Sequence, residues 1–145
     1  MPFGFASYYG LTSATALATG MVTPLAASGG QASSTIYTAT GAFYGDVWLT
    51  LPSATGLWGV GTAVELHMRV SLDGGTTFAD FGPNTLVGSV GLATTGGTQQ
   101  YVVRQIVMPP LGTSYVWGIK NGASVALSTS TNNNFRFNTY TEATQ

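Results

Sequence analysis

Val64-Glu65-Leu66-His67-Met68-Arg69-Val70-Ser71-Leu72 is the stretch whose pattern decides the fold. Val64, Leu66, Met68, Val70 and Leu72 alternate strictly with Glu65, His67, Arg69 and Ser71. Successive side chains of an extended strand point to opposite faces, so this pattern describes a strand with one face toward a core. A helix of period 3.6 would scatter the same residues around its axis. Asp73-Gly74-Gly75 follows at once, a turn sequence whose glycines accept the positive φ of tight hairpins. Thr77 to Phe81 is the expected return strand.

The same period extends to both sides. Ser34 to Thr40 reads as a strand, and so does Phe43 to Leu51, with Val47, Leu49 and Leu51 on one face and Asp46, Trp48 and Thr50 on the other. Pro52, Gly56 and Gly59 mark a loop. Leu86 to Leu92 is a strand diluted by Gly88 and Gly91, and Gln99 to Met108 is a long β-branched run ended by Pro109-Pro110. Ser114 to Lys120 places Tyr115, Trp117 and Ile119 on one face. Asn121-Gly122 then predicts a hairpin to Ala123–Thr129, and Phe135 to Tyr140 is a last alternating strand. These segments predict an all-β chain, a single antiparallel β-sandwich or jelly-roll-like domain of about eight or nine strands spanning residues 34–145.

Residues 1–33 read differently. Phe3, Phe5, Tyr8, Tyr9 and Leu11 open an arm that is otherwise rich in Ala, Ser, Thr and Gly, with a weak option for a short helix over Leu11 to Ala18. No charged side chain precedes Asp46. The arm is expected to be extended and ordered by contacts with neighbouring subunits, with the five large residues at the interface. Extended, it would reach about 100 Å.

Charge is scarce throughout: 6% of the 145 residues, with a net charge of -1. An ordinary soluble domain carries roughly 25%. The four basic residues lie on different strands and leave no footprint for nucleic acid or an anionic membrane. No apolar run approaches the roughly 20 residues of a membrane-spanning helix, and the first residues lack the positive start of a secretory signal. With no cysteine, disulfides and thiolate metal sites are excluded. What remains is a surface suited to being covered by other protein.

The chemistry-bearing residues are few. Glu65, His67 and Arg69 line one strand face, which general acid/base catalysis could use, but no thiol nucleophile accompanies the single histidine. The favoured reading is a polar outer or interfacial strip. Asp73, Asp80 and Asn84 are too few for a hard cation. The glycine pairs lack the context of a nucleotide cradle. Trp48 and the loop residue Trp58 are aromatic groups of the kind that stack on sugars or anchor interfaces. No cofactor is expected, and catalysis is not.

Two resemblances add to this reading. Ser71, Asp73, Gly75, Thr77 and Phe78 resemble the Asp-box, a hairpin motif of sialidase-like propellers. That likeness implies a stapled turn with the aromatic beneath it and no catalytic role; a propeller would need several copies, and the motif occurs once. The cysteine-free Gly/Thr/Ser/Asn-rich strands, the 64–78 hairpin, the Asn-Gly turn and the Asn-rich final strand resemble tailed-phage virion proteins, and among them capsid decoration (cement) proteins. This implies a homotrimer on the capsid exterior, assembled in the host bacterial cytoplasm, with the major capsid protein and its own copies as partners. The alternatives are a neck or tail component of the same particle, and a sugar- or receptor-binding β-sandwich using Trp48 and Trp58.

Overall fold

The computed structural model describes residues 15–16, 29–33, 35–51, 63–91, 99–122 and 134–140. Nine strand segments and no helix occur among them: β1 (Thr15–Ala16), β2 (Gly30–Ala32), β3 (Tyr37–Thr38), β4 (Tyr44–Leu51), β5 (Ala63–Val70), β6 (Leu86–Gly91), β7 (Gln99–Val107), β8 (Ser114–Asn121) and β9 (Asn134–Tyr140). All pairings are antiparallel. One sheet has the order β1-β9-β4-β7. The other has the order β2-β8-β5-β6, with β3 also on β8. The chain is an antiparallel β-sandwich.

The alternation builds the core. Val64, Leu66 and Met68 of β5 and Tyr115, Trp117 and Ile119 of β8 face Val47 and Leu49 of β4, Ile106 of β7 and Met108 just beyond it. Trp117 is wholly buried at the centre, its ring against Tyr115 and Phe137. Truncating such an aromatic costs about 3–5 kcal/mol through lost burial and the cavity left behind.

Asp46 faces away from this core yet is also buried. The register of β4 on β7 shifts between Gly45 and Val47, so one extra residue of β7 is accommodated there. Gln105 takes up the extra length at φ 56°, a left-handed conformation that L side chains rarely adopt. Its N–H donates to Asp46 Oδ1 at 2.9 Å, and Tyr140 Oη–H donates to the same oxygen at 3.4 Å.

Several expectations are corrected here. Leu72 does not continue the inward face of β5: the strand ends at Val70, and Leu72 is 99% exposed. Thr77 to Phe81 forms no strand, and the partner of β5 is β6, reached through a loop that leans on β5 by Ala79 N–H to Val70 O. Among the described residues of the expected Ser34–Thr40 strand, Tyr37–Thr38 is the part that forms a strand. Two parts of the expected arm belong to the sandwich: Thr15–Ala16 pairs with Phe137 and Arg136 in place of a helix, and Gly30–Ala32 pairs with β8. The boundary at residue 33 is therefore not a boundary of the sheets. Phe3, Phe5, Tyr8, Tyr9, Leu11, Trp58 and Ala123–Thr129 lie outside the described residues. β5 takes one edge of β8 while β2 and β3 share the other. Asn121 N–H reaches Gly29 O and Gly122 N–H reaches Ala63 O, so Asn121-Gly122 is tied to its neighbours on both sides.

Candidate functional site

The turn after β5 is a closed set of short hydrogen bonds. Ser71 Oγ–H donates to Asp73 Oδ1 at 2.6 Å, Thr77 Oγ1–H donates to Asp73 Oδ2 at 2.6 Å, and the N–H groups of Thr76 and Thr77 reach the same carboxylate at 3.1 and 2.9 Å. Gly75 N–H returns to Ser71 Oγ at 2.8 Å. Gly74 and Gly75 supply the positive φ, 74° and 99°, that folds the backbone over the carboxylate. The hydrogen bonds, from Ser71 first and then from Thr77, hold the Asp73 carboxyl well below the usual carboxylate range. Because Ser71 and Asp73 both bond inward, the residue between them is thrust outward, and that residue is Leu72.

The Glu65-His67-Arg69 strip is not an open face. Residues 78–85 lie across it, and His67 is 1% exposed. Its Nε2–H donates to Glu65 Oε2 at 3.2 Å, its Nδ1 lies 3.0 Å from Thr85 Oγ1, and the Phe81 ring packs edge-on against it at 5.0 Å. Arg69 stacks over the other part of Phe81, 4.8 Å from the ring centroid, and donates to the carbonyls of Phe78 and Ala79. Lys120, directly across from Glu65 on β8, brings Nζ to 3.8 Å from its carboxylate. Gly30 of β2 makes room for this cover, since a methyl group there would come within 3.1 Å of the Phe81 ring. The strip is a partly covered polar layer that ties the β5–β6 loop to its own sheet, with His67 buried in it and both of its nitrogens engaged. Among the described residues no group of three or more His, Cys, Asp or Glu is arranged to hold a metal ion.

The open surface lies elsewhere, at the end of the sandwich where β5, β3 and β7 finish or turn. Ser71–Thr77 leaves β5 there, residues 108–113 pass from β7 to β8, and residues 39–43 pass from β3 to β4. The two crossings are held together by Met108 N–H to Phe43 O, Gly112 N–H to Ala39 O and Ala39 N–H to Thr113 O. The stapled turn abuts the same group, with Gly75 beside Ser114 and Ile36. Leu72, Phe43 and Leu111 stand on these segments, Ile36 just precedes β3 and Val107 ends β7; all five are more than half exposed. Sequence reading missed this cluster. The signals for it were local: Leu72 between two inward-bonded turn residues, and Leu111 inside Pro110-Leu111-Gly112, where Gly112 has φ 82°.

Beside this apolar end a cleft of about 240 Å³ runs between the two sheets. Tyr37 and Tyr115 line it from the β3–β8 side, and Phe137 and Thr139 line it from β9. Thr38, Ala39, Thr40, Ala42 and Met108 complete it. Phe137 meets Tyr37 edge-on at 5.0 Å, and Tyr37 lies 5.7 Å from Tyr115. Burial, and secondly the neighbouring Tyr37, push the Tyr115 phenol up to about 12. Trp48, on the face of β4 opposite Val47 and Leu49, is half-buried, its register partners being Val102 and Arg136.

No protein-family model matches the chain, and no curated protein matches it. Among solved structures it is similar to the carbohydrate-binding module CBM6cm-2 from Cellvibrio mixtus lichenase 5A in complex with cellotriose. The identity is 17%, the TM-score is 0.43, and the match covers 78% of this chain and 72% of that one.

Proposed function

We propose that this chain is a non-enzymatic structural protein of a tailed-phage particle, a decoration protein. In this reading it docks on the outer face of the major capsid protein as a homotrimer and stabilises the shell by bridging subunits. The observation that carries this reading is the apolar end of the sandwich. Five large apolar side chains stand out on or beside the stapled turn and two crossings that are bonded to each other, in a chain with 6% charged residues. Contiguous exposed apolar groups mark surfaces that another macromolecule covers. Leu72 suits an anchor, because the Asp73 staple holds its backbone in one conformation and little entropy is lost on docking.

The test is binding to empty heads, with copies counted per particle. The paired change Leu72→Ser and Leu111→Ser is expected to abolish attachment while leaving the thermal midpoint within a few degrees of wild type. Truncation ahead of Thr15, which keeps β1 and β2, measures what the first residues add. Attachment unaltered by the serine pair would refute docking through this end, and 6 or 12 copies per particle would indicate a neck or tail position instead. A second reading, recognition of a glycan, is favoured by the aromatic lining of the cleft.

A further inference from the structure

We infer that Asn121-Gly122 is a latent modification site, where spontaneous deamidation of Asn121 is held off by the fold and becomes irreversible once the end of β8 has opened. The inference is independent of both readings above. In an Asn-Gly pair the glycine nitrogen can attack the side-chain carbonyl carbon of the asparagine, because no glycine side chain obstructs its approach. A carbon–nitrogen bond forms and ammonia leaves. Water then opens the five-membered ring to aspartate or, at its other carbonyl, to isoaspartate. The chain carries one such pair, at residues 121 and 122, and one Asp-Gly pair, at residues 73 and 74, which closes the same ring by losing water.

The structure treats the two pairs differently. Asn121 closes β8, and a strand backbone, with ψ of about +135°, turns the following nitrogen away from the residue's own side chain. Gly122 N–H is tied to Ala63 O at 2.8 Å, and Asn121 N–H to Gly29 O at 2.8 Å, so contacts on both sides must let go before the ring can close. At Asp73 the barrier is chemical. The carboxylate accepts from Ser71, Thr76 and Thr77 and stays ionised, and an ionised carboxylate is a poor target for attack. That staple needs only its own short segment, whereas the lock on Asn121 lasts only while β8 stays joined to its neighbours.

Burial makes the event one-way. Asn121 is 0% exposed and shares the inward face of β8 with Tyr115, Trp117 and Ile119, opposite the buried Val64. Either product places a carboxylate there, and a buried charge without a cation is costly. The adjacent cation, Lys120, lies on the opposite face beside Glu65. Isoaspartate also lengthens the backbone by one atom and breaks the alternation of the strand.

Peptide mass spectrometry on the full chain, held at mildly alkaline pH with and without urea, tests this. Conversion at residue 121 is expected to be roughly 10- to 100-fold slower in the folded chain than in the unfolded one. In intermediate urea it should follow the exchange rate of the Gly122 amide hydrogen, which reports the bond to Ala63 O. Equal rates in folded and unfolded chains would overturn the lock, as would conversion that rises with no change in exchange at Gly122. Isoaspartate appearing in the folded chain at residue 73 ahead of residue 121 would overturn the assignment of the site. Asn121→Asp supplies one product directly. Its thermal midpoint is expected to fall by about 10 °C or more at neutral pH, and by less in acid, where the new carboxyl takes up a proton. An unchanged midpoint would overturn the one-way character. If that variant does not fold, the conversion rates of the natural chain still decide the lock.

Discussion

Asp73 and Asp46 are both carboxylates that hold backbone in place, one on an exposed turn and the other buried in the four-stranded sheet. Asp73 finds its partners, Ser71, Thr76 and Thr77, within four residues. Asp46 finds the Gln105 N–H 59 residues away and the Tyr140 hydroxyl 94 residues away. The first forms whenever its short segment folds back, and water competes for every bond it makes. The second exists only when β4, β7 and β9 are assembled, and its carboxylate is buried. The glutamate-histidine strip lies between them, with one partner of His67 two residues away and the other 18. Energetic weight should therefore rise with the distance along the chain from which partners are recruited.

The sharpest way to break this ranking is Asp46→Ala. It leaves the Gln105 N–H without its acceptor inside the bulge, and a loss of roughly 2–3 kcal/mol is expected in urea unfolding at neutral pH. A loss no larger than that of Asp73→Ala would overturn it. His67→Ala comes next, since it opens a cavity beneath Phe81 and removes both ring contacts; about 2 kcal/mol is expected by the same measurement. Gln105→Gly acts in the other direction. It relieves the left-handed strain but frees the unfolded chain, and the net gain should not exceed about 1 kcal/mol in thermal unfolding. A clear destabilisation would mean that the Gln105 side chain, and not only its backbone, holds the bulge.

The smallest effect expected is that of Asp73→Ala, and it should be pH-dependent. The folded carboxyl titrates below its unfolded value of about 3.9, so its stabilisation is present above that pH and is lost as pH falls below it. Stability profiles of wild type and Asp73→Ala should run parallel above about pH 4 and converge in acid. Curves that stay parallel throughout would show that the carboxylate contributes nothing to folding through its charge.

The long alternating segments were legible because alternation is a property of neighbours. β5, β7 and β8 lie where the pattern places them, within two residues at each end. The staple was legible for the same reason: Ser71, Asp73, Gly75 and Thr77 carry their whole instruction in seven residues. Alternation says which side chains share a face but not whether that face is wet. His67 shares a face with Glu65 and Arg69 and was expected outside; Phe81, from a loop of its own chain, covers its ring. Leu72 shares the apolar pattern of β5 and was expected inside; the hydrogen bonds of the adjacent turn end the strand and expose it. Gly30 reads as part of a loose arm until Phe81 is seen to need its missing side chain.

What the sequence by itself determined is therefore the all-β class, the course of the long strands, the stapled turn and the scarcity of charge. Each is a matter of residues within a few positions of one another, or of composition. Only the tertiary structure decided which polar face is buried, which apolar residues gather at one end, and that Tyr37, Tyr115, Phe137 and Thr139 enclose a cleft. Those outcomes depend on segments up to about a hundred residues apart meeting in one register, and the energy that selects the register belongs to the packed core and its buried polar bonds rather than to any single strand.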